Sequence, residues 1–246
     1  MSKFNADYEI KKSTYVPDQP KWTSPKQVSI ECQNDPLAPF PNKQTTVSVT
    51  YLLENINNTE EIFTLSILSL LLADGPNAPF YQALVESGIG SDYSPSTGFS
   101  GDLKQASFSV GLQGISKDDV ELVESIILRT LNEAANEGFA DERIEAILHR
   151  IELSTKHQIK NFGLNIMFGL YGYLTHDGDS IKGLHVNEHV EQFRRNLKAD
   201  KNYLKKKIRE HFINNSHRLT LIMSPSDGYE EKLKQKEKEK LNEKRK

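Results

Sequence analysis

The chain has 246 residues, of which 37% are hydrophobic and 26% charged, a composition typical of one large globular domain or two small ones. Its formal net charge of -3 gives no general basic surface that would attract nucleic acid or an anionic membrane. Cys32 is the single cysteine, which excludes an internal disulfide and a thiolate metal cluster and favours a reducing compartment.

The first residues show the features of a linker. They have no apolar segment typical of a signal peptide, and they contain acidic residues that transit peptides avoid. They also lack hydrophobic periodicity and lead into Pro17, Pro20 and Pro25. We therefore predict that residues 1–24 form a linker and that the folded domain spans residues 25–226.

Strands and a buried helix are predicted in the first third of the domain. Apolar and polar residues alternate in 28–32 and 45–53, which predicts two strands with one buried face each. Asn58, with Glu61 three residues later, is a candidate N-cap for a helix that ends at Gly75. Residues 62–73 of this helix are mostly apolar but too few to cross a bilayer, so we predict that the helix is buried.

The remaining elements are predominantly helical. A short helix is predicted from Pro79 to Glu86, followed by strands at Tyr93 and 106–114. Ser116 with Asp119 is a candidate cap for the next helix. The predicted elements from there on are helices over 116–138, from 141 to about 161, over 180–197 and over 200–214, and a final strand over 218–224.

Between the second of these helices and residue 180 lies an apolar segment interrupted by Gly163, Gly169 and Gly172, where small residues are expected to allow close helix packing. Residues 227–246 alternate in charge and have little to bury, which predicts a solvated charged helix or tail. The order of elements favours an α+β fold, with helices packed on one face of a mostly antiparallel sheet.

One short motif carries possible chemistry. His185, Glu188 and His189 have the HxxEH spacing, in which two histidines one helical turn apart can bind a zinc ion and the glutamate can act as a base. The downstream acidic residues Glu191, Glu210 and Glu230 have no spacing that marks one of them as the third ligand.

The surroundings of the motif favour a structural interpretation. The apolar stripe of the same helix consists of Val186, Val190, Phe193 and Leu197, with the histidines beside it. The preferred interpretation is two partly exposed histidines on an amphipathic helix, and a metal site is the alternative.

Other histidines and glycines give weaker signals. His149 and His157 are two helical turns apart, too far to share a metal ion, and His211 suits the C-terminal end of a helix. No nucleophile-elbow motif is present, and the glycines of residues 87–101 do not form a phosphate-binding pattern. We therefore assign no catalytic, cofactor-binding or metal-binding residue.

Longer stretches resemble a known family. "KQTTVSVTYLL", "SLLLADGPNAPFYQALVESGIGSDYSP", "FSVGLQGI", "EGFADERIEAILHRIE" and "THDGD" are similar to the second, noncatalytic domain of mitochondrial members of the pitrilysin zinc metallopeptidases. The resemblance implies an enzyme of four related α+β domains whose halves, joined by a helical hairpin, close around a chamber. It places the zinc and its HxxEH motif in the first domain, which nothing in this chain matches.

The resemblance also implies a role. The domain would form a chamber wall in a zinc endopeptidase of the mitochondrial matrix that degrades unfolded peptides such as cleaved targeting sequences, with the other domains of the same protease as partners. The segment alone would be inactive, and residues 227–246 would begin the hairpin. Two alternatives stay open: a stand-alone peptide-binding or scaffold module, and an autonomous hydrolase that uses His185, Glu188 and His189.

Overall fold

The computed structural model describes residues 16–156, 161–176 and 178–244. The strands are β1 (Lys26–Cys32), β2 (Thr45–Asn55), β3 (Asp92–Tyr93), β4 (Gly98–Ser100), β5 (Gln105–Ile115) and β6 (Arg218–Pro225). The helices are α1 (Thr59–Ala73), α2 (Val120–Glu137), α3 (Asp141–Lys156), α4 (Phe162–Thr175), α5 (Ser180–Leu184), α6 (Val186–Ala199), α7 (Tyr203–Ile208) and α8 (Tyr229–Lys244). Short π-helical turns cover Tyr81–Val85 and Arg209–Ile213.

The six strands form one sheet in the order β1-β6-β2-β5-β3, and β4 pairs with β5 beside β3. Every pairing is antiparallel except that of β1 with β6. The last strand of the sequence therefore lies between the first two. This arrangement confirms the predicted α+β class with a mostly antiparallel sheet.

The core lies between one face of the sheet and the helices. Alternation along β2 places Val47, Val49 and Tyr51 on that face, where each is fully buried. The Phe212 ring packs edge-on against Tyr51, with centroids 5.4 Å apart, and against Phe108 of β5 at 5.3 Å. The predicted packing of helices on one face is thus observed at this contact.

Helix α1 is buried as predicted, because Leu65, Ile67, Leu68 and other residues around its circumference contact the core. Its predicted cap differs in detail. Asn58 occupies the N-cap position, but its side chain makes no capping hydrogen bond. Glu61 is paired with side chains of the later helices instead of with the start of its own helix.

The prediction of a buried face for β1 is wrong. Val28 and Ile30 are 44% and 43% exposed, respectively. β1 is an edge strand, and its register with β6 places Val28 beside Leu221 and Ile30 beside Met223. Since Thr220 of β6 bonds to Glu124 of α2, the leucine and methionine side chains point away from the helices.

Two other predicted elements differ from the structure. The helix predicted over 180–197 is two helices, α5 and α6, which meet at His185, whose φ of -79° and ψ of 50° are not helical. Asp179 caps α5, because its side chain accepts hydrogen bonds from the backbone of Ile181 and Lys182. The short strand β4 was not predicted, since three residues carry too little alternation to show.

Helix α8 extends the chain beyond the sheet and is exposed from Glu230 to Lys244, as its charge pattern predicts, whereas Tyr229 at its start is partly buried. Its contacts to the domain include Lys232 with Glu31, at 2.6 Å, and Gln33 with Glu230, at 2.8 Å. Among the helices of the described ranges, none is both long enough and apolar enough to cross a membrane.

Candidate functional site

The HxxEH residues lie across a helix boundary. His185 is the residue between α5 and α6, whereas Glu188 and His189 lie in the first turns of α6. The geometry expected for two histidines one turn apart requires both to lie within the same continuous helix. The two histidines have the expected spacing in sequence. Because the helix is interrupted at His185, however, their rings do not project from one continuous helix.

Each histidine has a partner of its own. His185 Nδ1 lies 3.2 Å from Glu188 Oε1, at a site where both side chains are largely exposed. His189 Nε2 lies 3.0 Å from the carbonyl oxygen of Lys182, and its ring stacks on Phe63 with centroids 5.6 Å apart. A carbonyl oxygen only accepts, so in this arrangement Nε2 donates the hydrogen bond.

These contacts match those of two ordinary surface histidines on an amphipathic helix. The apolar stripe of α6 is as predicted, with Val190 and Phe193 buried and Val186 and Leu197 partly buried. The assignment of no metal ligand to this motif stays a prediction. Of the other histidines considered, His157 lies outside the described residues.

Within the described residues, a different group of potential metal ligands comes together. The ligand atoms of Glu61, Glu210 and His211 all lie within 4.8 Å of one another. Glu61 comes from α1, and the other two come from the π-helical turn after α7. No sequence pattern indicates this cluster, because Glu61 and His211 are 150 positions apart.

A lysine already supplies the positive charge in this cluster. Lys207 Nζ lies 2.8 Å from Glu61 Oε1 and 3.2 Å from Glu210 Oε2, and His211 Nε2 lies 2.6 Å from Glu61 Oε1. Burial alone would raise the pKa of Glu61, but the hydrogen bonds from His211 and Lys207 outweigh it and lower this pKa. We therefore interpret the cluster as a partly buried salt-bridge network that ties α1 to α7 and the turn after it. His211 lies in the last turn of this helical segment, as its sequence position suggests, and also pairs with Glu61.

The sheet surface opposite the core is the larger candidate for function. We call it the helix-free face, and it is formed by alternate residues of β1, β6, β2 and β5 in register: Val28, Ile30, Leu219, Leu221, Met223, Thr46, Ser48, Thr50, Ser107 and Ser109. None of its hydrophobic members belongs to the core cluster or to the side chains packed against it. These ten side chains are uncharged, and Ser48 and Ser109 among them are buried, whereas Lys26, in register with Leu219, places a charge at the end of β1 on the same face.

Hydroxyl groups on this face satisfy one another. Thr50 and Ser109 are joined by a 2.8 Å hydrogen bond between their hydroxyl oxygens, and Ser48 and Ser96 by one of 3.2 Å. Pairing leaves fewer polar groups that require a specific partner. The surface is therefore suited to contacts that depend little on the sequence of a bound chain.

An α+β domain with helices on one face of its sheet is the class defined by this architecture. The model of a family described as "Peptidase M16 inactive domain" matches residues 1–151. The chain therefore belongs to the M16 peptidase family, in which it matches the inactive domain. This confirms the resemblance to the pitrilysin metallopeptidases predicted from the sequence.

The sequence of one relative agrees with this family assignment. The chain is 48% identical over 244 residues to the mitochondrial presequence protease of Mus musculus, an alignment that covers 99% of the chain and 23% of that protein. The chain thus spans about a quarter of the length of this relative.

Two solved structures share the fold. A protease from Helicobacter pylori has a TM-score of 0.65 at 15% identity, with 90% of this chain and 49% of that chain covered. The inactive peptidase domain of a putative zinc protease from Bordetella parapertussis has a TM-score of 0.58 at 16% identity, with 75% of this chain and 92% of that chain covered.

Proposed function

We propose that the chain is the noncatalytic, chamber-forming domain of a zinc metalloendopeptidase that degrades unfolded peptides such as mitochondrial presequences. The observation that carries the proposal is the match to the inactive domain of the M16 family together with the high identity to a presequence protease. The catalytic zinc would be bound by sequence outside this chain. The proposed location is the mitochondrial matrix, and the proposed partners are the peptide substrate and the other domains of the protease.

The helix-free face supports this role. An enclosing wall excludes folded proteins by size and removes water around the peptide bond that is cleaved. The wall should also tolerate many peptide sequences, which favours uncharged, mutually satisfied side chains such as Thr50 and Ser109 over charged ones. Aliphatic side chains such as Leu221 would contact the apolar residues of the peptide.

Domain limits are part of the proposal. Residues 25–226 would be the chamber-forming domain, with residues 1–24 as the link to the catalytic domain and 227–246 as the start of the hairpin. Trp22 supports a link that is anchored at its end, because its ring stacks on His217 at 4.1 Å and its carbonyl accepts a 2.6 Å hydrogen bond from Ser216.

The test compares two forms of the protein. The short form is the 246-residue chain, and the long form is this chain joined to the additional sequence that its relatives carry. We expect the short form to hold no stoichiometric zinc by elemental analysis and to leave an unstructured fluorogenic peptide intact. We expect the long form to hold zinc and to cleave the peptide, but to spare the same sequence inside a folded protein.

Substitution on the helix-free face tests the wall itself. In the long form, Leu221→Lys places a charge on this face and is expected to raise the KM for an apolar peptide several-fold while the zinc content stays the same. Leu153→Lys is the matched control, because Leu153 is 41% exposed and lies on α3, which packs on the opposite side. Zinc retention and cleavage by the short form, abolished by Glu188→Gln, would instead establish the autonomous hydrolase.

A further inference from the structure

Helix α4 presents an apolar surface outward. Its 14 residues, FGLNIMFGLYGYLT, include no charged side chain. Five side chains at helical spacing form one stripe, which we call the α4 ridge: Leu164, Met167, Phe168, Tyr171 and Leu174. Their exposed fractions run from 46% to 64%. Because residues at i, i+3, i+4 and i+7 share a face, the ridge is continuous along the helix.

The opposite side of α4 attaches the helix to the domain. Gly172 is buried and lies so close to the carbonyl oxygen of Gly101 that a Cβ there would be 2.8 Å from it. Ile56, at the end of β2, lies on the same side. Helix α4 therefore turns Gly172 and Tyr173 toward the domain and leaves the ridge without a described partner.

Contrast with α8 shows that exposure alone does not explain the ridge. Helix α8 is also exposed, and its sequence, YEEKLKQKEKEKLNEK, is mostly charged. A helix that faces water normally carries polar and charged residues on that face. The ridge exposes roughly 500 Å² of apolar surface, near the upper limit for a protein without a partner.

The shape and area of the ridge indicate the kind of partner. A helix is a convex cylinder, whereas short peptides are bound in grooves, clefts or along strand edges, so the partner must supply the groove. Two copies joined through their ridges would bury at most about 1,000 Å², the lower limit for a specific interface. A wholly uncharged contact is typical of permanent association.

We infer that the α4 ridge is a permanent docking surface for a folded, apolar-grooved domain of the same protease. The inference rests on the proposed function. It is supported by the relative from Mus musculus, of which this chain covers only 23% while matching across 99% of its own length. Such a relative has further polypeptide available to cover the helix.

Hydrogen exchange tests the inference directly. We expect backbone amides of residues 162–175 to exchange at least tenfold more slowly in the long form than in the short form, without added peptide. Equal exchange in the two forms would overturn the inference. So would slowing in the short form that grows with protein concentration, which indicates a second copy, or slowing that requires added peptide, which indicates substrate.

A substitution adds a second readout. In the long form, Phe168→Ser is expected to return the exchange of residues 162–175 toward the short-form rate, while Leu122→Ser, an exposed leucine on α2, leaves it slow. Slow exchange in both variants would contradict the inference. The comparison of unsubstituted forms decides the case if a variant does not fold.

The outcomes separate this inference from the proposed function. A long form that cleaves peptide but leaves α4 unprotected would disprove the docking surface and leave the chamber role intact. A long form that protects α4 but neither binds zinc nor cleaves peptide would disprove the proposed function and leave the docking surface intact.

Discussion

Glu61 shows how one residue can be assigned to the wrong interaction from sequence alone. Its position three residues after Asn58 indicates a capping box, and the helix does begin there. Its carboxylate instead contacts Lys207 and His211. A local pattern reports only on neighbours in sequence, so a contact to a residue 150 positions away leaves no trace in it.

The network around Glu61 leads to a pH-dependent prediction. Folding lowers the pKa of Glu61, so its ionised form stabilises the folded state above its ordinary pKa of 4.5. This contribution is lost as the pH falls through the lowered value. At pH 7 we expect Glu61→Gln to reduce the free energy of unfolding by about 2–3 kcal/mol, because Lys207 and His211 lose a buried partner.

Urea unfolding at a series of pH values measures this effect. The difference between wild type and Glu61→Gln should shrink toward zero below pH 4.5. Glu121→Gln is the matched control, since Glu121 lies in the first turn of α2 and is exposed. A constant difference across the pH series would show that the carboxylate charge is not what stabilises the fold.

At the scale of secondary structure, elements with strong periodicity were predictable and those shaped by their neighbours were not. Strand β2 and helix α2 follow their sequence patterns closely, because each has one face on the core. Strand β1 has the same alternation, but its apolar side lies on the sheet face opposite the helices. Alternation identifies a strand but does not say which of its faces meets the helices.

The glycines of α4 separate into different roles. A Cβ at Gly172 would come within 2.8 Å of the Gly101 carbonyl oxygen, whereas one at Gly169 would meet nothing within 4 Å. We expect Gly172→Ala to destabilise the protein by about 1–3 kcal/mol through crowding against the backbone. Gly169→Ala should stabilise α4 by about 0.5–1 kcal/mol, because alanine is the better helix former.

Urea unfolding combined with hydrogen exchange of residues 162–175 measures both substitutions. Opposite signs for the two would support the attachment of α4 through Gly172. Similar stabilisation by both would show that α4 does not pack against the 101–102 turn. The prediction that these glycines permit close packing of helices is thus replaced, at Gly172, by close packing against a turn.

For the whole molecule, the fold and family were predictable and the candidate surfaces were not. Long matching stretches identify a family, and the family supplies the architecture. Neither the helix-free face nor the α4 ridge follows from the sequence, because each depends on which side of an element the other described residues leave uncovered. The preference against a metal site at the HxxEH motif stays a prediction, and the break at His185 is visible only in the structure.

Helix α8 allows a test of how far the folded unit extends. The helix is exposed from Glu230 to Lys244, and the contacts of Lys232 with Glu31 and of Glu230 with Gln33 are exposed polar ones. We expect a chain ending at Gly228 to unfold within about 2 °C of the full chain in a thermal melt, because little apolar surface is lost. A much larger decrease in Tm would mean that α8 belongs to the core unit.

The position of β6 between β1 and β2 has a consequence for synthesis on the ribosome. Until the final strand emerges, β2 keeps one hydrogen-bonding edge open, and β1 has no strand beside it. Open edges of this kind promote wrong pairing between nascent chains. The domain therefore completes its sheet only near the end of its translation, and its earlier intermediates are the stage at which chaperone protection matters most.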